Sequence, residues 1–313
     1  MPDAVRYVEL PGIGPCSQLA LGTMDFSPER MDQASSILDA FLELGGNTID
    51  TAHGYGGGRS ERAIGEWLRQ RGTRERVVIL DKGAHPDETG PRVNPGAIAQ
   101  DLLASLERLQ VAQIDIYLLH RDDPRLPVGP IVEALEAHRR AGRIRVYGGS
   151  NWSCARIDEA NAYARAHGLA GFACSSPNVS LAVPRIPRWP GCVSVGPEDR
   201  DWYAARQLPV FSWSSQAGGF FTDRFSPERT ENAEMVRTYY TAENWARKAR
   251  AEELGRQKGV SGNQVALAYV LHQPFPCCAL IGPLSLEELR SSAVAQSVVL
   301  TPEDVRWLET GTR

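Results

Sequence analysis

Eight short apolar runs, at 19–24, 47–52, 77–80, 114–119, 146–150, 172–175, 210–214 and 277–281, alternate along the chain with amphipathic stretches of period 3.6. Helix-start and helix-stop residues fall between them. These three observations predict an α/β fold: a (β/α)8 TIM barrel with an N-terminal β-hairpin plug, spanning 1–313 as a single domain. Short buried strands separated by helices pair in parallel, because each crossover helix returns the chain to the same end of the sheet.

The elements follow in order. The segment VRYVEL-PGIG-PCSQL is strand-like on both sides of a Gly/Pro turn and reads as a hairpin under the barrel's N-terminal face. Ala34, Leu38, Phe41 and Leu44 mark one apolar helix face, and Ile98, Leu102, Leu106 and Leu109 another. Asn94 stands as a cap ahead of Pro95, Gly142 stops a helix, and Thr301-Pro302 opens the last one. The stretches 179–197 and 219–240, rich in Pro, Gly and aromatic residues, read as irregular loops beside the pocket. The pentapeptide FSPER recurs at 26–30 and 225–229 with unrelated flanks, so it marks no internal repeat.

Composition narrows the function. With a net charge of −4 and scattered Lys and Arg, the chain lacks the basic footprint of a nucleic-acid or anionic-membrane binder. No stretch reaches the roughly 18 apolar residues of a membrane span, and the start has no basic region followed by an apolar run. Six cysteines without a C-x-x-C pair point to reduced thiols and a cytoplasmic setting. Six dispersed histidines give no metal-ligand spacing, so no metal is expected.

Active sites of parallel barrels lie at the C-terminal ends of the strands. Asp50 closes the second run, Lys82 follows the third, His120 closes the fourth, and Tyr55 lies in the Gly-rich loop after the second. Each has a bland explanation alone: a turn aspartate, a solvated lysine, a hydrogen-bonded histidine, a wall aromatic. Together they offer a carboxylate, an ammonium, an imidazole and a phenol to one rim. Asp81, beside Lys82, should point to the opposite face by strand alternation.

These residues stand in NTIDTAHGYGGGRSERA at 47–63, which with LGTM, LLHRDDP and GRIRVYGGSNWS at 142–153 resembles the aldo-keto reductases. The resemblance covers nearly the whole chain. It implies NAD(P)H-dependent carbonyl reduction, with Asp50, Tyr55, Lys82 and His120 as the catalytic tetrad. Tyr55 would be the acid, with Lys82 lowering its pKa, Asp50 holding the lysine, and His120 donating to the carbonyl oxygen.

No G-x-G-x-x-G segment follows a strand, so the cofactor is expected extended across the barrel mouth. The resemblance places it against Gly22, Thr23, Met24 and Asp50 on one side, and Ser150, Asn151 and Ser176 at the carboxamide. Trp213, Ser214, Gln216 and Gly218 would meet the pyrophosphate, and Gly282, Ser285, Glu288 and Ser292 the adenosine end. Ser176 and Val179 stand where relatives carry a glutamine and a stacking aromatic, and Glu288 and Ser292 where a basic residue and an asparagine are common. Ser285-x-x-Glu288 is also a capping box, which leaves Arg290 for a 2′-phosphate. NADPH is the expected cofactor and NADH the alternative.

Substrate contacts are expected from Tyr55, His120, Trp152, Trp189 and Phe221, with Met24 and Phe26 nearby. Asp25, His53, Arg121 and Asp122 tilt the expected small-molecule carbonyl substrate toward a sugar-like one. Two rival readings remain: a Schiff-base aldolase using Lys82, and a cofactor-sensing regulatory subunit resembling potassium-channel β subunits. The sequence marks no partner-binding extension for the latter.

Overall fold

The computed structural model describes residues 5–312. A two-stranded antiparallel hairpin, β1 (Tyr7–Leu10) and β2 (Gly14–Ser17), precedes eight parallel strands closed into a barrel. These are β3 (Leu19–Gly22), β4 (Thr48–Asp50), β5 (Val78–Gly83), β6 (Ile114–Leu119), β7 (Ile144–Ser150), β8 (Phe172–Ser176), β9 (Val210–Ser212) and β10 (Cys277–Ile281), with β10 pairing back to β3. Each apolar run of the sequence holds the strand expected of it. The helices are α1 (Met31–Glu43), α2 (Arg59–Arg71), α3 (Pro95–Leu109), α4 (Val128–Arg140), α5 (Cys154–Ala166), α6 (Pro197–Arg206), α7 (Ala233–Tyr239), α8 (Ala242–Lys258), α9 (Gly262–Leu271), α10 (Leu286–Val294) and α11 (Pro302–Thr310).

The strand period of two sorts the core into two layers. Ala20, Val78, Leu80, Ile116, Leu118, Cys174, Phe211, Cys278 and Leu280 fill the barrel, where Val8, Leu10 and Cys16 of the hairpin join them. Leu21, Ile49, Ile79, Tyr117 and Leu119 alternate with them and pack outward on the helices. Burying each such aliphatic side chain contributes about 1.5–3 kcal/mol. The hairpin thus plugs the N-terminal end, fastened by Arg145 Nη2 donating to Gly12 O (3.0 Å) and by Asn47 Nδ2 donating to Pro15 O (2.8 Å). Gly148 marks where strands crowd: a Cβ there would come within 2.1 Å of Cys174 O, beside a register shift between β7 and β8.

Helix ends obey the local chemistry. Asn94 Oδ1 accepts from Ala97 N (3.0 Å) at the start of α3, and Thr301 and Asp304 cap α11 reciprocally. Ser285 Oγ accepts from Glu288 N (3.2 Å) at α10, while the Glu288 carboxylate takes the Leu284 N–H (2.7 Å). The stretch 219–240 is not wholly irregular, because α7 lies within it. Asn232 caps that helix by accepting from Met235 N (3.1 Å), and Met235 and Tyr239 anchor it by burial. The other stretch, 179–197, is stitched to it through Arg185 N donating to Thr238 O (2.8 Å) and Arg237 Nη2 donating to Arg188 O (3.2 Å).

Candidate active site

At the C-terminal end of the barrel, the inward-facing series of each strand ends on Gly22, Asp50, Lys82, His120, Ser150, Ser176, Trp213 and Gly282. All eight stand among the residues expected at the site, and the alternation is what brings them to one ring. Asp81, one residue from Lys82, falls on the outward series, as expected.

Lys82 is the hub. Its side chain is 2% exposed, and Nζ bonds Asp50 Oδ1, Thr51 O (3.0 Å) and Tyr55 Oη (3.3 Å). Burial works against its charge, but the charges of Asp50 and Tyr55 and hydrogen bonds to both outweigh it and raise the ammonium's pKa. Burial likewise pushes the Asp50 carboxyl upward against the pull of Lys82. The Tyr55 phenol departs from expectation: burial, aided by the Asp50 charge, raises its pKa, although Lys82 pulls the other way. Burial is the largest influence and the Asp50 charge adds to it, so the phenol holds its proton more tightly than a free tyrosine.

His120 is 9% exposed, its ring 5.8 Å from that of Tyr55 and 4.7 Å from that of His85, edge-on to both. Burial, with the charges of Lys82 and Arg121, holds its pKa well below the usual histidine range. The imidazole is therefore neutral and can donate one N–H without bringing a charge.

Four of the non-glycine residues with positive φ lie at this end: Ala84 (56°), Asn151 (60°), Ser214 (48°) and Ala217 (50°). Such backbone strain persists where surrounding structure over-determines it. Around Ser214 to Gly219 the left-handed residues turn the chain in a tight loop bordered by arginines. Arg188 Nη1 donates to Ser214 Oγ (2.8 Å) and Nε to Glu234 Oε1 (2.7 Å), and Arg224 lies against Gly219. Nothing in the spacing of the loop 179–197 marked Arg188 in advance.

The carboxamide residues are buried and bonded to one another. Ser150 Oγ donates to Ser176 O (3.0 Å) and Ser176 Oγ to Phe211 O (2.6 Å). Asn151 Oδ1 accepts from Trp213 Nε1 (3.0 Å) and Val193 N (3.1 Å), so the loop 179–197 reaches this point. Asn178, missed in the sequence, joins in: it donates to Trp213 O (2.9 Å) and takes Val195 N (2.9 Å) on its carbonyl. Thr23 Oγ1 is spent on Asp50 O (2.8 Å) and Ser60, whereas Met24 is exposed. Gln216 and Gly218 are accessible on the 214–219 loop. Gly282, Ser285 and Glu288 are exposed after β10, and Ser292 is buried.

The expected substrate wall separates into two groups. Trp189 is partly exposed and lies 5.6 Å from Trp213, ring to ring. Trp152 and Phe221 do not line the mouth. Trp152 is fully buried between Phe172 and the backbone, with Nε1 donating to Arg121 O (3.1 Å), and Phe221 packs on Phe220 in the outer core. Apolar bulk on the helix side of the strands outcompeted rim exposure for both. Phe26 is also buried in that core. Among the described residues no His/Cys/Asp/Glu group has metal-site geometry, and no helix is long and apolar enough to cross a membrane.

Residues 18–310 match the family model described as the aldo/keto reductase family. An oxidoreductase of Bacillus subtilis is 30% identical over 93% of this chain and 91% of its own length. Norsolorinic acid reductase of Emericella nidulans is 28% identical over 94% of this chain and 77% of its own. A probable aryl-alcohol dehydrogenase of Saccharomyces cerevisiae is 29% identical over 89% and 87%. A Klebsiella pneumoniae aldo-keto reductase, solved in complex with NADPH, shares the fold with a TM-score of 0.75 at 23% identity, covering 98% of this chain and 94% of that one. The chain belongs to the aldo/keto reductase family, a family of NAD(P)H-dependent oxidoreductases.

Proposed function

We propose that the protein reduces an aldehyde or ketone with NADPH, Tyr55 acting as the proton donor. The observation that carries this reading is the lysine hub: one buried ammonium touches Asp50 and Tyr55 together, with a neutral His120 against the same phenol.

The residues at the mouth fit a nicotinamide nucleotide. The loop 214–219, with its left-handed turns and the bordering Arg188 and Arg224, suits a pyrophosphate. Trp213 offers a partly exposed ring for a planar heterocycle, a role that Val179, 2% exposed, cannot take. Ser150 and Asn151 would hold the carboxamide once Asn151 exchanges its bond to Val193 N for one to the ligand. Arg290, exposed on α10, is free to meet a 2′-phosphate, because Glu288 is engaged in the helix cap.

When bound, the dihydronicotinamide supplies a hydride to the carbonyl carbon. Tyr55 then passes its proton to the oxygen as negative charge develops there. Lys82 stabilises the phenolate left behind, and Asp50 keeps Lys82 charged and aimed. His120 donates to the same oxygen and orients it. A raised lysine pKa opposes the aldolase alternative, since a Schiff-base lysine must be readily deprotonated.

The test is a titration with NADPH followed by turnover on aryl and aliphatic aldehydes and ketones. Binding with reduction supports the proposal. Tight binding with no reduction of any carbonyl would favour the regulatory-subunit reading.

A further inference from the structure

Arg121 follows His120 in the chain and is only 7% exposed. Its Nη1 donates to His120 O (2.8 Å) and its Nε to Pro190 O (3.2 Å), so two of its three nitrogens are held by neutral carbonyls. Among the described residues Nη2 has no hydrogen-bond partner, and it is not sealed from solvent. Among the described residues no carboxylate lies within ion-pair distance of Arg121. The nearby acids are engaged elsewhere: Asp122 with Arg156 (3.0 Å), Asp123 with Arg125 (2.8 Å), and Asp50 with Lys82.

A buried guanidinium without a counter-charge is unfavourable unless something else supplies the charge. The placement is also fixed. Trp152 Nε1 holds the Arg121 carbonyl (3.1 Å), and Gly191 closes on the side chain, where a Cβ would stand 3.2 Å from Cδ. The cation lies on the His85–His120 side of the mouth, and its field reaches Tyr55, His85 and His120. The 214–219 loop proposed for the pyrophosphate has its own guanidinium in Arg188. His85 adds no second cation: Nδ1 gives its proton to Pro86 O (2.7 Å), and burial lowers its pKa.

We infer that Arg121 anchors an anionic group of the substrate, so that the preferred substrates are carbonyl compounds bearing a carboxylate or a comparable anion. The free Nη2 provides a charge-assisted hydrogen bond in a desolvated wall, while Tyr55 and His120 meet the carbonyl. This rests on the reductase reading, and it replaces a sugar-like substrate with a charged one.

The experiment pairs 3- and 4-formylbenzoate with their neutral primary amides, isosteric but uncharged, in NADPH-dependent turnover. The wild-type protein should favour the anion by at least about tenfold in kcat/KM. R121M should erase that ratio through KM of the anionic member, and R121K should restore part of it. Independently of turnover, benzoate should bind the NADPH-loaded protein more tightly than benzamide, read by tryptophan fluorescence. That arm decides the anion site even if no aldehyde is reduced, which would sink the reductase reading alone. Equal use of the charged and neutral substrates together with equal binding of benzoate and benzamide would overturn the inference. So would an R121M effect confined to NADPH affinity, which would assign Arg121 to the cofactor. The wild-type comparisons stand even if the variants fail to fold.

Discussion

Asp81 and Lys82 are neighbours on β5, both buried, yet the protein handles their charges in opposite ways. Lys82 faces the barrel mouth and is compensated by Asp50, Thr51 and Tyr55. Asp81 faces the helices, is 0% exposed, and neither of its oxygens has a partner in hydrogen-bond geometry. Burial, reinforced by the charge of Glu61, drives its pKa well above the ordinary carboxylate range. The orphaned Glu61 Oε1, Ser105 Oγ and Tyr117 Oη share this outer layer, and burial raises the Tyr117 phenol there as well. One face keeps a charge by pairing it, and the other buries a carboxyl whose proton is held more tightly than usual. Pairing serves chemistry, because a fixed ammonium is useful beside a phenol.

Breaking each side should give opposite signs. On the mouth side, K82M should lower kcat by about two to four orders of magnitude, the scale of lost acid–base assistance, with NADPH affinity changed little. Steady-state kinetics beside a cofactor titration would check it. D50N should destabilise the fold by about 3–5 kcal/mol, because it leaves the Lys82 ammonium buried and uncompensated. Urea unfolding measures that loss.

On the outer face, D81N should stabilise by about 1–2 kcal/mol, since it removes a buried acid and offers amide donors to orphaned oxygens. The pH dependence follows from the raised pKa. The folded state holds the Asp81 proton after the unfolded chain has released it, so Asp81 lowers stability progressively as pH rises above the ordinary carboxylate range. The advantage of D81N should therefore grow with pH from about 4 upward, in melts run across that range. A constant advantage would show that Asp81 titrates alike in the folded and unfolded chain. The smallest effect belongs to E288A at the cap of α10: a slightly lower melting temperature, with the NADPH/NADH ratio of kcat/KM altered less than about threefold. A large swing toward NADPH would make Glu288 the selector instead.

The fold was legible because its two periodicities are strong. A strand period of two and a helix period of 3.6 located every barrel strand and placed Asp50, Lys82 and His120 on one rim. The helix α7 escaped notice because the stretch around it is rich in turn residues, and tertiary burial of Met235 and Tyr239 fixes it. Trp152 and Phe221 were misplaced for a related reason: a rim position in sequence does not say which side of the strand an aromatic takes. Arg188 and Asn178 were invisible, since their roles depend on how the loop 179–197 folds back over β8 and β9. The direction of the Tyr55 shift was missed because burial and the Asp50 charge are properties of the assembled site.

A single-turnover experiment decides whether the phenol on the Lys82 ammonium completes carbonyl reduction. Protein preloaded with NADPH is mixed with an aldehyde, and cofactor oxidation is followed for the wild type and for Y55F. Cofactor binding should be equal in both, and the rate in Y55F lower by about two to four orders of magnitude. Comparable rates in the two proteins would contradict that role.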